Sequence, residues 1–311
     1  MMATGDIAIP AFQALIKSNY ELIGLVTQPD KPVGRKQVMT PPKIKDIALE
    51  SNLPVWQPER AGDEAFIQHV ASLSADVIVV IAYGQILKQT LIDLPKIAII
   101  NLHASLLPKY RGAACIQAAI DAGDTESGMT AMHVVKALDA GDVILQKRLP
   151  ITESTTGGIL HDQLAASGPE TLLETLALLE AGDAPRIPQQ ENEVSYISKL
   201  MRNHGEIDWT QSAEAIERRI RAYDPWPGTF TSFTDSKGKR KRLKLFPKAT
   251  VQIESEGNLN QTAPSEVSIT STTIAVQCGD HQLQLGEVQP EGGRRMLASE
   301  WAQGVEISRF E

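Results

Sequence analysis

Between residues 21 and 151, short apolar runs alternate with stretches of helical periodicity, and this alternation limits the possible folds more than any other feature of the 311-residue chain. Residues 22–27, 76–82 and 98–102 read as strands, and 43–51, 64–72 and 113–122 read as helices. Strand and helix taken in turn imply crossover connections, and so an α/β domain with a mainly parallel sheet. Ligands of such sheets bind outside the carboxyl ends of the strands. That directs attention to the residues that follow each apolar run.

The run Ile97-Ala98-Ile99-Ile100 leads straight into Asn101-Leu102-His103-Ala104-Ser105-Leu106-Leu107-Pro108. On a strand, residues i and i+2 face the same side, so Asn101 and His103 are expected to project together where the strand ends. One carries a neutral amide donor and the other a ring that titrates near neutral pH. The pair suits acyl transfer to an amine: an amide N–H stabilises a developing oxyanion and an imidazole manages a proton. About thirty-five residues on, after an alternating segment over 129–135, comes Ala137-Leu138-Asp139-Ala140-Gly141-Asp142, which supplies two candidate carboxylates. Of the other histidines, His69, His161 and His204 fall in helical or loop contexts and read as surface residues, and His133 lies in the alternating strand with no motif around it.

Composition narrows the function classes. No apolar run reaches the ~20 residues of a membrane helix, and no basic-apolar-small leader opens the chain. Cys115 and Cys278 are far apart and form no C-x-x-C, so neither a disulfide framework nor a zinc site is expected, and a reducing cytoplasm fits. No H-E-x-x-H points to a metal, and no G-x-G-x-x-G follows a strand to hold a dinucleotide. The net charge of −8, from 30 Lys+Arg against 38 Asp+Glu, argues against nucleic-acid binding through global charge. Local cationic groups remain: Lys237-Gly238-Lys239-Arg240-Lys241-Arg242-Leu243-Lys244, then Arg218, Arg219 and Arg221 on a helix expected to begin near Ser212, and the proline-stiffened loop over 28–43 with Lys31, Arg35, Lys36 and Lys43.

A long helix is predicted over 158–181, then a proline- and glutamine-rich stretch over 185–193 that reads as a linker. Beyond residue 229 the character changes to short β-type runs, at 243–246, 267–270, 273–277 and 282–285, separated by polar turns. These predict a small β-barrel. The divisions expected are a catalytic domain over 1–184, a linker over 185–205 and a C-terminal domain over 206–311.

The Asn-x-His-x-Ser-Leu-Leu-Pro motif and the later Leu-Asp-x-Gly-Asp motif together resemble the folate-dependent formyltransferases. Thr27-Gln28-Pro29-Asp30, Ile81-Ala82-Tyr83-Gly84-Gln85-Ile86-Leu87, Tyr110-Arg111-Gly112-Ala113-Ala114 and Asp224-Pro225-Trp226-Pro227-Gly228 extend the resemblance over nearly the whole length, towards the branch acting on methionyl-tRNA. The resemblance implies a Rossmann-like, mainly parallel formyltransferase domain followed by an OB-like barrel that helps hold tRNA. It implies 10-formyltetrahydrofolate as co-substrate, initiator methionyl-tRNA as acceptor, no metal, and a cytoplasmic monomer. Carried over by position, Asn101, His103 and Asp139 match the catalytic trio, with Asp142 more plausibly closing the turn. Ser105, Leu106, Leu107 and Pro108, with Ile81, Tyr83, Gly84, Ile86 and Leu87, match the folate-contacting segments. Arg35, Lys36 and Lys43 fall in the loop used against the acceptor stem, and Lys239, Arg240, Lys241 and Arg242 would add phosphate contacts.

Two other readings remain. A sugar N-formyltransferase acting on a UDP-linked amino sugar shares the trio, although the basic segments favour tRNA. A catalytically dead tRNA-binding module is the second, because one feature departs from the family. The family begins with an apolar strand of about five residues, whereas this chain opens Met1-Met2-Ala3-Thr4-Gly5-Asp6, so a central strand is expected to be almost missing and the natural start to lie upstream.

Overall fold

A computed structural model describes residues 1–34, 36–253 and 263–311, and the chain divides into two compact units. The first unit comprises Met1–Cys115, Glu126–Pro150 and His161–Ile197. Its strands in chain order are β1 (Met2–Ala3), β2 (Leu25–Val26), β3 (Lys31–Val33), β4 (Val38–Thr40), β5 (Val55–Trp56), β6 (Val77–Ile81), β7 (Ala98–His103), β8 (Arg111–Gly112), β9 (Glu126–His133), β10 (Val143–Pro150) and β11 (Tyr196–Ile197). Seven of them form one sheet in the order β10-β9-β7-β6-β1-β2-β5. From β5 to β7 every pairing is parallel, and β9 and β10 add an antiparallel edge. Helices α1 (Ile9–Lys17), α2 (Lys43–Glu50), α3 (Glu64–Ser72) and α4 (Gln89–Ile92) lie in its connections. The alternation thus yields the mainly parallel, Rossmann-like sheet that it predicts. The antiparallel edge is not predicted, because a hairpin needs no crossover helix to announce it.

β6 shows why short apolar runs become central strands. Ile78, Val79, Val80 and Ile81 are all buried, so residues of both parities face apolar neighbours, as parallel sheets with covered faces require. The first strand is only two residues long, yet it holds the centre of the sheet. Met2 pairs with Val26 on one side and with Val80 on the other, Ala3 pairs with Ile81, and the Met1 amino group donates to the Gly24 carbonyl at 2.9 Å. Met2, Val26, Val80 and Ile78 belong to one buried cluster that also holds the Tyr83 ring. β3 and β4 form a separate hairpin, Lys31 opposite Thr40, whose residues are all exposed.

The second unit comprises Ile116–Thr125, Ile151–Leu160 and Ser198–Glu311. Two helices begin in one unit and continue into the other, α5 (Cys115–Asp121) and α6 (Gly157–Ala181). Helix α7 (Ala213–Ala222) starts at Ser212, whose side chain accepts the Ala215 N–H at 3.2 Å, a standard N-cap. Its strands are β12 (Thr229–Thr234), β13 (Arg240–Phe246), β14 (Thr250–Gln252), β15 (Val267–Ile269), β16 (Ile274–Gln277), β17 (Gln282–Gln284), β18 (Glu287–Pro290) and β19 (Met296–Leu297), followed by α8 (Ala298–Ala302). They form two antiparallel four-stranded sheets, β12-β13-β18-β19 and β14-β17-β16-β15. The arrangement is OB-like, and among the described residues the pairing does not close into one ring. Ile216 and Ile220 of α7, Leu243 and Leu245 of β13, Trp209, Trp301 and Phe310 share its buried core.

Candidate active site

β7 lies between β6 and β9, with Asn101 in register with Val80 and Met132. Its apolar residues anchor it in the sheet, so the chemistry-bearing residues fall at its carboxyl end, as the motif predicts. Asn101 is half-buried, and its amide has no hydrogen-bond partner among the described residues. His103, two residues on, is 7% exposed. Its Nε2 faces the Tyr110 carbonyl at 3.0 Å, an atom that can only accept, so that nitrogen carries a proton. Its Nδ1 lies 3.8 Å from Oδ2 of Asp139.

Asp139 sits at φ +48°, in the left-handed region that costs a non-glycine residue about 1–2 kcal/mol. Such a conformation persists where its surroundings over-determine it. Its Oδ2 accepts the Gly112 N–H at 2.8 Å, and its carbonyl accepts from Gln189 Nε2 at 2.8 Å. Asp142 points elsewhere: it lies 3.6 Å from Arg186, and its carbonyl accepts the His133 N–H. Burial opposes charge on His103, but the Cys115 sulfur, the Asp139 carboxylate and the Tyr110 carbonyl outweigh it and push the imidazole up to about 9. The shift favours the protonated ring. His133, opposite Ile100 on β9, moves the other way, lowered by burial and by Arg186.

Three residues around this centre have no role assigned in the sequence reading, although Arg111 falls in the motif over 110–114. Cys115, a buried free thiol at the start of α5, lies against His103. Arg111 is 2% exposed and donates to Gln189, Tyr196 and Glu191. Gln189 lies in the stretch read as a linker; in the structure that stretch, through Ile197, belongs to the first unit, and β11 pairs parallel with β8. Gln189 and Arg111 are 78 residues apart, beyond the reach of any local pattern.

Ser105 to Pro108 leave β7 as an anchored turn. The Ser105 hydroxyl donates to the Lys109 carbonyl at 2.7 Å, the Leu107 N–H donates to Thr130 Oγ1 at 3.2 Å, and Gln146 donates to the Leu107 carbonyl at 2.8 Å. Leu107 is buried against Met132 and Val143, while Leu106 and Pro108 are half-buried. The 81–87 segment leaves β6, the strand beside β7. Ile81 and the Tyr83 ring point into the core, burial pushes the Tyr83 hydroxyl up to about 12, and the Tyr83 carbonyl accepts from Thr4 and Gln28. Gly84 has φ +80°, Ile86 is 91% exposed, and Leu87 is half-buried. From this segment, then, the backbone around Gly84 and the side chain of Ile86 face outward, while Leu87 packs against the cluster that holds the Tyr83 ring.

The basic candidates are spread over both units. Arg35 lies outside the described residues; Lys36 is exposed, and Lys43 is exposed and paired with Asp6 at 2.5 Å. In the second unit, Asp235 accepts the N–H groups of Lys237 and Lys239 and closes the turn into β13. Lys239 and Arg240 are exposed, Arg240 pairs with Glu311, Lys241 is half-buried, and the Arg242 guanidinium lies 4.1 Å over the Phe230 ring. Arg240, Lys241, Arg242 and Lys244 line one cleft with Gln289 and Glu291. The α7 arginines are engaged internally: Arg219 with Asp121, and Arg221 with Glu217 and the Thr155 carbonyl. Among the described residues, no cluster of three or more His, Cys, Asp or Glu is arranged to hold a metal ion, and no helix is long and apolar enough to cross a membrane.

Comparison with known proteins agrees with this geometry. Residues 2–176 match the model of the formyl transferase family, and residues 199–306 match that of the formyl transferase C-terminal domain. A methionyl-tRNA formyltransferase of Akkermansia muciniphila is 49% identical over 97% of this chain and 95% of its own length. One of Symbiobacterium thermophilum is 43% identical over 97% and 91%. Among solved structures, an N-formyltransferase from Helicobacter canadensis, in complex with folinic acid and dTDP-3-aminofucose, superposes with a TM-score of 0.61 over 95% of this chain and 98% of its own. At 16% identity that likeness speaks to the fold alone.

Proposed function

The chain belongs to the formyl transferase family, and from that footing we propose that it transfers the formyl group of 10-formyltetrahydrofolate to the amino group of initiator methionyl-tRNA, giving the formylated initiator for translation. One observation carries the reading: Asp139 meets His103 at the carboxyl end of β7, two residues beyond Asn101 on the same strand, in a chain 49% identical, over nearly its full length, to a methionyl-tRNA formyltransferase. The co-substrate class is supported by the fold neighbour bound to folinic acid, itself a formylated folate. The sugar-acceptor reading rests on neighbours of 16–18% identity and is correspondingly weaker.

Attack by a neutral amine on the formyl carbon places negative charge on the formyl oxygen and positive charge on the attacking nitrogen. The free Asn101 amide is the donor for that oxygen, and removing such a donor typically costs ~10²–10³ in rate. His103 acts as an imidazolium, adding charge beside the oxyanion, with Asp139 holding it in place. Collapse breaks the bond from carbon to the folate nitrogen. One proton leaves the attacking nitrogen and one arrives at the leaving nitrogen, a balance suited to the His103–Asp139 pair. The turn from Ser105 to Pro108, with the segment from Gly84 to Leu87, forms the folate-facing wall. Lys36, Lys43 and the β13 cations contribute phosphate contacts, as does Arg35. The enzyme works as a cytoplasmic monomer. The direct test is formyl transfer to methionyl initiator tRNA, with elongator methionyl-tRNA and a UDP-linked amino sugar alongside. Product on the initiator is expected; product on the sugar alone overturns the acceptor, and none on any acceptor overturns the activity.

A further inference from the structure

We infer that Gln189 is a positioning residue for the reaction, clamped by buried Arg111 so that its amide fixes the turn presenting Asp139 to His103. The inference rests on the reading of that pair as catalytic. The Gln189 Oε1 accepts Arg111 Nε at 3.0 Å. Because a guanidinium can only donate, this hydrogen bond sets the amide orientation and leaves both Nε2 hydrogens for other partners. They go to two carbonyls of one turn, those of Asp139 and Gly141, each at 2.8 Å. Arg111 is itself held from three sides: Nη1 donates to the Tyr196 hydroxyl at 3.0 Å, Nη2 to Glu191 at 3.1 Å, and the guanidinium lies 5.7 Å from the Tyr196 ring centre.

The same strap grips the other side of Asp139. The Arg111 N–H donates to the Ser195 carbonyl at 2.8 Å, and β11 runs parallel to β8, which fixes Gly112. Gly112 in turn donates to Asp139 Oδ2. Its tight fit leaves no room for a side chain, since a Cβ there would sit 2.2 Å from the Ile197 carbonyl oxygen. Thus the backbone of Asp139 is set by Gln189 and its carboxylate by Gly112, and both depend on residues 189–197. The strap's hydrogen bonds hold the Asp139 turn in its left-handed conformation. The titratable groups facing His103 are Asp139 and Cys115, and substitution at Gln189 changes neither.

The test is Gln189→Met, which keeps the length and volume of the side chain but removes the amide. Displacing a reacting group by about 1 Å can cost ~10²-fold, so kcat should fall about tenfold to a hundredfold, with KM for both substrates changed by less than about twofold. As Asp139 loosens, His103 should lose support for its charge, and its titration, followed by NMR of the ring, should move to lower pH. Arg111→Lys, which lacks the Nε donor to Gln189, should show the same two effects, and Glu193→Gln, exposed on the same strap, should show neither. A folded Gln189→Met with wild-type kcat and an unmoved His103 titration overturns the proposal. So does a loss of thermal stability with kcat and titration preserved. If Gln189→Met does not fold, Arg111→Lys decides by the same criteria. The ring titration needs no turnover, so if wild-type protein formylates no acceptor the functional reading falls, and with it the role of Gln189 in a reaction, while the titration still reports whether Gln189 holds Asp139 against His103.

Discussion

β7 and β13 both carry residues assigned to function, and they do so in opposite ways. β7 is apolar up to Ile100 and then turns to Asn101 and His103 at its carboxyl end, where His103 is almost fully buried. β13 alternates from end to end: Leu243 and Leu245 enter the core while Arg240, Arg242 and Lys244 are exposed. In the first case the proposed chemistry would draw on a few groups in a desolvated place, where each group's contribution is large. In the second, the proposed binding would draw on several solvated cations whose contributions are small and salt-dependent. Substitutions at the two strands should therefore differ in kind as well as in size.

The comparison breaks first at Asn101. Asn101→Ala should lower kcat about 10²–10³-fold with tRNA affinity nearly unchanged, measured by single-turnover formylation and filter binding; parallel loss of binding would make Asn101 structural. Next is His103, which is charged below its raised pKa and loses that charge as pH rises through it. The kcat profile should therefore fall on an alkaline limb near pH 9, and that limb should vanish in His103→Gln. A rise in kcat through pH 9 would show that the neutral ring acts as base instead. The alternation of β13 is tested by Leu243→Ala, fully buried, which should cost about 2–5 kcal/mol in denaturant unfolding, whereas Lys244→Ala should stay within about 0.5 kcal/mol. The smallest effect is expected for Lys239→Gln, Lys241→Gln and Arg242→Gln combined. Affinity for tRNA should weaken and the slope of log K against log salt should flatten by roughly 0.7–0.9 for each phosphate that is no longer neutralised, with kcat intact at saturating tRNA. An unchanged slope would mean that these cations do not touch phosphate.

Much of the molecule follows from local pattern. The helix over 64–72 is found at those bounds, Ser212 caps α7 as expected, and the apolar runs at 76–82 and 98–102 become β6 and β7. Apolar periodicity and cap chemistry act over a few residues, so a single chain segment contains all the information they need. The motif around Asn101 is legible for the same reason: two side chains on one strand, two residues apart, must share a face. The meeting of His103 with Asp139 is legible only through the resemblance, since nothing local brings residues 36 positions apart within 3.8 Å.

What the tertiary structure alone decided lies in the long-range interactions. The two-residue strand Met2–Ala3 is too short for any pattern to mark, yet two neighbouring strands, already fixed by their own apolar runs, leave a central slot that it fills. The 185–193 stretch reads as a linker because proline and glutamine break local periodicity; its place on Arg111 and the Asp139 turn depends on partners 48 to 80 residues away. The arginines of α7 look like a binding face in sequence and are held by Asp121, Glu217 and the Thr155 carbonyl in space. The sequence by itself thus determined many of the elements and which polar residues each carries, because those depend on neighbours along the chain. Which buried group meets which partner, and therefore the upward shift of His103, was decided only when burial and the approach of distant segments replaced water around those groups.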